Sequence, residues 1–173
     1  MGSAPISPKL LEAIHQALPN TKVTNAFGTT EGGPVVFGAH PQQLEQPTIS
    51  VGYAHPEVSL RLVDENNLPA NEGILQMKSP GVMLGYHQSS WRDPIPNPFT
   101  PDGFYSTGDI FRKDEKDFYY FVGRSDDMFV CGGENIYPTE VERLLESHPD
   151  IQAAAVVPVE DYIKGQKPVA YVV

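Results

Sequence analysis

Apolar residues near the start of the chain recur with the spacing of a helix. The pattern begins after Ser7 and Pro8, a pair typical of an N-cap followed by the first helical position. The apolar face of this helix comprises Leu10, Leu11, Ile14, Ala17 and Leu18. Pro19 and Asn20 are expected to end it.

A short strand is predicted next, at residues 22–27. It runs into residues 28–33, which contain too many glycines for the interior of a strand or helix. Open α/β sheets place ligands where a strand runs into such a loop. This loop is therefore the first candidate site.

Residues 50–122 show the period of two that is typical of antiparallel β-structure. Val58, Leu60 and Leu62, for example, alternate with polar neighbours. The connections of this region are expected to be turns at 66–73 and 113–117 and a proline-rich exposed loop at 93–102.

A second amphipathic helix is predicted to begin at Pro138 and to end at His148 and Pro149. Its apolar face comprises Val141, Leu144 and Leu145. Two β-like segments follow, at 151–157 and 169–173.

The change of pattern near Asp126 predicts two domains, 1–125 and 126–173. The first combines a strand–helix part with an antiparallel β subdomain. The second is a small α+β domain that is expected to be cut short, since its last strand carries no stop signal. The predicted fold class is a mixed one, α+β with an α/β part.

Composition narrows the function classes. The chain has 12 Lys and Arg against 22 Asp and Glu, a formal net charge of −10, whereas a protein that binds the nucleic-acid backbone needs the opposite sign. A single cysteine, Cys131, excludes an intramolecular disulfide. No transmembrane segment or signal peptide is recognisable, so a cytoplasmic location is expected.

Thr29, Thr30 and Glu31 bring two hydroxyls and a carboxylate to the glycine-rich turn. Hydroxyls can bind phosphate oxygens, and a carboxylate is a hard ligand that suits Mg²⁺. The alternative interpretation is an ordinary polar turn.

Two further clusters carry polar chemistry. Asp109, beside Gly108 at an expected strand start, has a carboxylate that could accept both hydroxyls of a ribose, although an aspartate after glycine is also common in turns. Arg124 brings a permanent charge, and Gly132-Gly133 would let backbone approach a ligand closely. Residues 123–135 could equally be an interdomain linker.

In this order and spacing, four stretches closely resemble consecutive core motifs of the adenylate-forming enzyme superfamily, in its acyl- and aryl-CoA ligase branch. They are Gly2-Ser3-Ala4-Pro5, Phe27-Gly28-Thr29-Thr30-Glu31, Tyr105-Ser106-Thr107-Gly108-Asp109, and Gly123-Arg124-Ser125-Asp126 through Gly132-Gly133-Glu134-Asn135-Ile136-Tyr137-Pro138.

The resemblance implies an enzyme that activates a carboxylic acid with Mg-ATP to an acyl-adenylate and then transfers the acyl group to coenzyme A. It implies that backbone at Ala4 and Pro5 meets the adenine and that Phe27 stacks on it. Thr30 would bind the α-phosphate, and Glu31 would bind the Mg²⁺.

The resemblance also assigns the remaining motif residues. Asp109 would take the ribose hydroxyls, and Arg124 would lie near the ribose and phosphate. Asp126 would be the hinge of the small domain. In the thioester-forming arrangement, the pantetheine channel of CoA would be faced by Gly132, Gly133 and Glu134. Part of the acid pocket would be formed by Asn25, Ala26, Gly32, Gly33 and Pro34.

Two lysine-bearing segments of the superfamily have no counterpart in residues 1–173. The resemblance therefore implies a fragment: 1–125 would be the C-terminal part of the large domain and 126–173 the start of the small one. This fragment is expected to be inactive without the missing parts of its parent. The alternatives are an adenylate-forming enzyme that loads a carrier protein or oxidises the adenylate, and a non-catalytic nucleotide-binding or interaction module. A serine hydrolase is disfavoured because no Gly-x-Ser-x-Gly motif occurs.

Overall fold

The structure, a computed structural model, describes residues 8–87 and 97–173. Its helices are α1 (Pro8–Ala17) and α2 (Pro138–Glu146). Its strands are β1 (Phe37–Gly38), β2 (Tyr53–Ala54), β3 (Ser59–Val63), β4 (Glu72–Lys78), β5 (Tyr105–Lys113), β6 (Tyr119–Arg124), β7 (Phe129–Cys131), β8 (Glu134–Ile136), β9 (Ala154–Asp161) and β10 (Gly165–Val172).

The antiparallel region predicted from the period-two pattern is confirmed. Strands β3, β4, β5 and β6 pair in sequence order as one antiparallel sheet. Apolar side chains on one face of this sheet form the main core, in which Leu75, Met77 and Phe111 are completely buried. Burying such side chains is the largest favourable contribution to folding.

A second sheet holds the remaining long strands, in the order β8-β7-β10-β9. Helix α2, predicted from Pro138, packs against β9, and its Glu142 carboxylate accepts a hydrogen bond of 2.8 Å from the Val156 N–H. The predicted apolar face of α2 is only partly buried, since Leu144 is 72% exposed. This helix contacts the sheet through polar as well as apolar groups, so the apolar spacing alone overstated its burial.

The two sheets are linked through α2. The Arg143 guanidinium donates a hydrogen bond of 2.8 Å to the carbonyl of Phe121 in β6. Helix α1, confirmed at the predicted position, also reaches the second half of the chain: Lys9 Nζ donates to the carbonyls of Pro149 and Ile151 at 3.1 and 3.2 Å.

Three expectations need correction. Residues 22–27 form no strand, because a strand needs a partner for its backbone groups and the described residues provide none here. Asp109 lies in the middle of β5 and not at a strand start. The possible linker at 123–135 contains the end of β6, and its residues from 129 onward belong to the β7–β8 hairpin.

Several predicted features lie outside the described residues: Ser7, Ala4 and Pro5 as predicted contacts of the adenine, and positions 93–96 of the proline-rich loop. Across the described residues, no helix is both long enough and apolar enough to cross a membrane.

Candidate nucleotide and metal site

The glycine-rich loop of residues 29–33 closes on itself. Thr29 and Gly33 exchange backbone hydrogen bonds of 3.2 and 2.9 Å, and the Thr29 hydroxyl accepts a third from the Gly32 N–H at 2.7 Å. Gly33 has a φ of +94°, a conformation that glycine adopts without strain. The Thr29 hydroxyl is thus committed to the turn. Within residues 8–87 and 97–173 the exposed Thr30 hydroxyl has no partner, so it is free to meet a ligand.

Glu31 is held at both ends. Its backbone carbonyl accepts a hydrogen bond of 2.7 Å from the Met83 N–H, and its side-chain Oε1 accepts one of 3.0 Å from the Tyr86 hydroxyl. The carboxylate is only partly buried. It therefore combines a fixed position with access to solvent.

Asp109 is a buried carboxyl group opposite Arg124. The two residues are direct partners in the β5–β6 register, and Arg124 Nη1 lies 3.3 Å from Asp109 Oδ1. Burial raises the pKa of Asp109 to about 6, the charge of Arg124 opposes this, and the charges of Asp126 and Glu31 add to it. Glu31, Asp109, Arg124 and Asp126 therefore belong to one electrostatic cluster.

Arg124 is shared between two carboxylates. Its Nε and Nη2 donate to the two carboxylate oxygens of Asp126 at 2.8 and 3.2 Å, a bidentate geometry. This hydrogen bonding, with the charge of Asp109 and Asp126, raises the pKa of Arg124 further above its usual value. The same contact lowers the pKa of Asp126. The proposed hinge residue and the proposed ribose-binding residue thus share one guanidinium.

Two tyrosines of this cluster were not predicted as site residues. Tyr86 was not recognised at all, and Tyr105 was quoted only as the first residue of a motif. Tyr105 is buried at the start of β5, where burial and then the negative charge of Glu31 raise its pKa above the usual range. A single tyrosine in a loop carries no pattern, so the sequence offered no signal for Tyr86.

An open cavity of about 430 Å³ lies beside the glycine-rich loop. It is lined by Ala26, Phe27, Gly28, Thr29, Thr30, Gly33 and Pro34. Three of the five predicted acid-pocket residues line it, and two do not. Asn25 instead donates to the carbonyl of Ile49 at 3.1 Å, and Gly32 is buried against Met77.

Phe27 faces this cavity and also packs in the core. Its ring makes edge-on contacts with Phe111 at 4.9 Å and Phe37 at 6.0 Å between centroids. The core contacts fix the ring in position, so any surface that it offers to a planar ligand is preorganised.

Gly132 and Gly133 form the two-residue turn of the β7–β8 hairpin, with φ of +61° and +96°. Positive φ at both positions is the geometry that favours glycine in tight hairpins. Glu134 follows in exposed β8, paired with Cys131. The Gly132 N–H donates to the Lys164 carbonyl at 3.1 Å, so this turn lies beside the β9–β10 turn.

The donor set around Glu31 fits Mg²⁺ held together with a substrate. In the described part of the chain, no group of three or more His, Cys, Asp or Glu residues could hold a metal by itself. At nucleotide sites Mg²⁺ is usually bound by one or two carboxylates, with substrate phosphates and water completing its shell. A single accessible carboxylate next to a free hydroxyl is compatible with that arrangement.

Two family models match this sequence, in agreement with the fold and the glycine-rich loop described above. Residues 1–87 match the AMP-binding enzyme family, and residues 140–173 match the AMP-binding enzyme C-terminal domain. The chain belongs to the AMP-binding enzyme family. The resemblance to adenylate-forming enzymes is therefore confirmed.

Named relatives include CoA ligases from distant organisms. The chain is 36% identical to the mitochondrial medium-chain acyl-CoA ligase ACSF2 of Bos taurus over 96% of its own length and 28% of the relative's. It is 34% identical to the 2-succinylbenzoate–CoA ligase of Enterococcus faecalis over its whole length and 35% of the relative's. The chain thus spans about a third of the curated relatives that it matches.

The fold is shared with solved structures of the same family. ATP-bound MatB from Rhodopseudomonas palustris superposes with a TM-score of 0.83 at 32% identity, covering 99% of this chain and 34% of that one. The mixed α+β class with antiparallel sheets is therefore confirmed.

Proposed function

We propose that this chain is a segment of an AMP-forming acid–CoA ligase, which converts a carboxylic acid and Mg-ATP to an acyl-adenylate and passes the acyl group to coenzyme A. One observation carries the proposal. Glu31 interacts electrostatically with the ion pair of Asp109 and Arg124, although these residues lie up to 93 positions apart, and the neighbouring Thr30 lines an open cavity. The names of the relatives favour CoA over a carrier protein as the acyl acceptor.

The residues of the cluster have complementary roles in adenylate formation. Thr30 offers a free hydroxyl to the α-phosphate, Asp109 accepts hydrogen bonds from the ribose hydroxyls, and Arg124 adds positive charge. Glu31 would hold the Mg²⁺, which neutralises phosphate charge. Attack of a carboxylate on phosphorus depends on orientation and charge neutralisation more than on proton transfer. The cluster has the groups for both.

The second half-reaction is assigned to the residues after the first sheet. We place the boundary between the domains 1–125 and 126–173 at Asp126, where the small domain would turn. Gly132, Gly133 and Glu134 would then face the pantetheine arm of CoA. The bidentate pair of Arg124 and Asp126 supports this assignment, because it ties the proposed hinge to the nucleotide cluster.

The acid pocket is proposed at the open cavity, with Ala26, Gly33 and Pro34 in its wall. The small side chains leave room for an acyl or aryl group. A cytoplasmic location remains a prediction, and the Bos taurus relative is a mitochondrial enzyme.

Nucleotide binding by the full-length protein tests the assignment. Asp109→Ala should weaken ATP and AMP binding by about 1.5–3 kcal/mol, the value of hydrogen bonds to a charged acceptor. Glu31→Ala should leave AMP binding nearly unchanged and slow adenylate formation, because its partner is the metal. Titration calorimetry and single-turnover assays measure the two effects.

The exposed Asp150→Ala serves as the matched control for loss of one negative charge. Equal and negligible effects of Asp109→Ala and Glu31→Ala would refute the motif assignment. Absence of ATP–pyrophosphate exchange in the full-length wild type, with any aryl or fatty acid, would refute the proposed reaction.

A further inference from the structure

Residues 79–86, the segment after β4, contact the glycine-rich loop and hold it in position. The Ser79 hydroxyl donates to the Gly32 carbonyl at 3.0 Å, and the Met83 N–H donates to the Glu31 carbonyl at 2.7 Å. Gly81 lies alongside the loop, since a Cβ on Gly33 would be in van der Waals contact with its carbonyl oxygen at 3.5 Å. The loop therefore takes its position from this segment as well as from its own turn.

Tyr86, in the same segment, holds the end of the Glu31 side chain. The Met83 bond fixes the backbone of Glu31, but a glutamate side chain retains three rotatable bonds and has much rotamer freedom to lose. The Tyr86 hydroxyl, 3.0 Å from Oε1, removes that freedom. In the described residues the other oxygen, Oε2, accepts no hydrogen bond and stays available to a ligand.

The hydroxyl of Tyr86 is suited to act as a lasting donor. A phenol O–H is a hydrogen-bond donor at neutral pH, and here its acceptor is the Glu31 carboxylate. The buried Tyr105 interacts with it from the side of β5. Tyr86 as a whole residue is 45% exposed, so core packing does not explain its position.

We propose that Tyr86 is a positioning residue, which orients the Glu31 carboxylate toward the divalent metal that accompanies the nucleotide. The proposal rests on the proposed function, since it needs Glu31 as the metal-binding residue. Groups that hydrogen-bond to a metal ligand typically change metal affinity or activity by 10- to 100-fold when they are removed. Tyr86 would act only through Glu31.

The test uses Tyr86→Phe in the full-length protein, with Mn²⁺ as the probe for the metal. We expect the affinity of the protein–ATP complex for Mn²⁺, measured by electron paramagnetic resonance, to fall about tenfold. The half-saturating Mg²⁺ in ATP–pyrophosphate exchange should rise by a similar factor. AMP binding in the presence of a chelator should not change.

Tyr162→Phe is the matched control, because Tyr162 is fully exposed in the β9–β10 turn. Glu31→Gln and the double variant complete the cycle. If Tyr86 acts through Glu31, Tyr86→Phe should have no further effect on Mn²⁺ affinity in the Glu31→Gln background. Additive losses would show an independent role and overturn the proposal.

The remaining outcomes separate the two levels of inference. Normal Mn²⁺ affinity in Tyr86→Phe, with a loss in Glu31→Gln, would overturn the role of Tyr86 and leave the proposed function intact. Normal affinity in Glu31→Gln would overturn the metal-binding role of Glu31 and, with it, the role of Tyr86, whereas the proposed reaction itself is tested by ATP–pyrophosphate exchange in the wild type. A Tyr86→Phe protein that melts far below the wild type would assign a structural role to the hydroxyl and also overturn the proposal.

Discussion

The fold buries the carboxyl group of Asp109, which destabilises its charged form. It lies in the centre of β5 with 5% of its surface exposed, and the cation nearest to it, Arg124, is shared with Asp126. Burial disfavours the charged form, which is why its pKa rises to about 6. Perturbed carboxyl groups in this setting are enriched at functional sites.

The raised pKa sets a pH dependence of stability. Since the pKa of Asp109 is about 6 in the folded chain and 3.8 ordinarily, the folded state holds more protons between these values. Stability from this group is therefore fully present below about pH 4 and is lost as pH rises through about 6. At pH 7 we expect Asp109→Asn to raise the free energy of unfolding by about 1–3 kcal/mol, with little difference at pH 4.

Urea unfolding of the wild type and Asp109→Asn at pH 4, 5, 6 and 7 measures this trend. Asp150→Asn, at an exposed position, should show no comparable change. An Asp109→Asn protein that is less stable at pH 7 would mean that the Arg124 contact outweighs desolvation.

The residues of the site were predictable to different degrees. Asp109 and Arg124 could be chosen from their motifs, and hairpin pairing of β5 with β6 explains why they face each other. Tyr86 could not be chosen, because its contact with Glu31 spans 55 positions and depends on the path of residues 79–86. Phe27 was assigned to a ligand alone, whereas its core contacts depend on tertiary packing.

At the scale of elements, β3 and β4 approach closely at Gly73. A Cβ on Gly73 would lie 2.6 Å from the carbonyl carbon of Val63 and 3.2 Å from the N of Asp64. These are backbone atoms, which cannot turn away as a side chain would. The first pairs of β4 therefore require a residue without a side chain.

Gly73→Ala should lower the free energy of unfolding by about 1–3 kcal/mol, as overpacked positions do. Gly38→Ala in β1 is the control, since its Cβ would meet only His55 Cδ2 at 3.6 Å. Chemical denaturation of both variants compares them. If Gly73→Ala and Gly38→Ala are equally stable, the β3–β4 turn can shift to accept the added Cβ without strain.

Elements with strong periodicity were predicted well. Both helices and the four-stranded sheet follow from apolar spacing, because burial of one face dictates that spacing. Residues 22–27 were predicted wrongly, since an apolar stretch does not reveal whether a partner strand lies beside it. The β7–β8 hairpin was missed although Gly132-Gly133 is a typical two-residue turn, since three-residue strands are too short to show a period.

At the scale of the whole molecule, the described residues connect the two sheets through α2, as in the hydrogen bond of Arg143 to the Phe121 carbonyl. A polar contact of this kind is compatible with the domain rotation that we propose at Asp126. The Gly132-Gly133 turn would then reach the active site only in one of two arrangements.

Gly133 allows this proposal to be tested with matched variants. A Cβ there meets no atom within 4 Å, but the φ of +96° strains any side chain. Gly133→Ala and Gly133→Leu therefore share the backbone strain and differ in bulk. We expect Gly133→Leu to reduce acyl transfer from preformed acyl-adenylate to CoA by at least tenfold relative to Gly133→Ala, about 1.4 kcal/mol in barrier.

Adenylate formation from acid and ATP should be the same in the two Gly133 variants. Both half-reactions are measured separately in the full-length protein. Equal loss of both half-reactions in Gly133→Leu, with folding intact, would place the turn outside the path of the thiol.

The glycine-rich loop has two unlike sides. Glu31 and Gly32 are held by residues 79–86, whereas Gly33 and Pro34 line the cavity and take no hydrogen bond from that segment. Substitution at Pro34 would reshape the cavity without disturbing any contact of the Glu31 carboxylate. If the cavity is the acid pocket that we propose, such a division would let a lineage alter the acid that it accepts while the residues of activation stay constant, so new specificities could evolve in single steps.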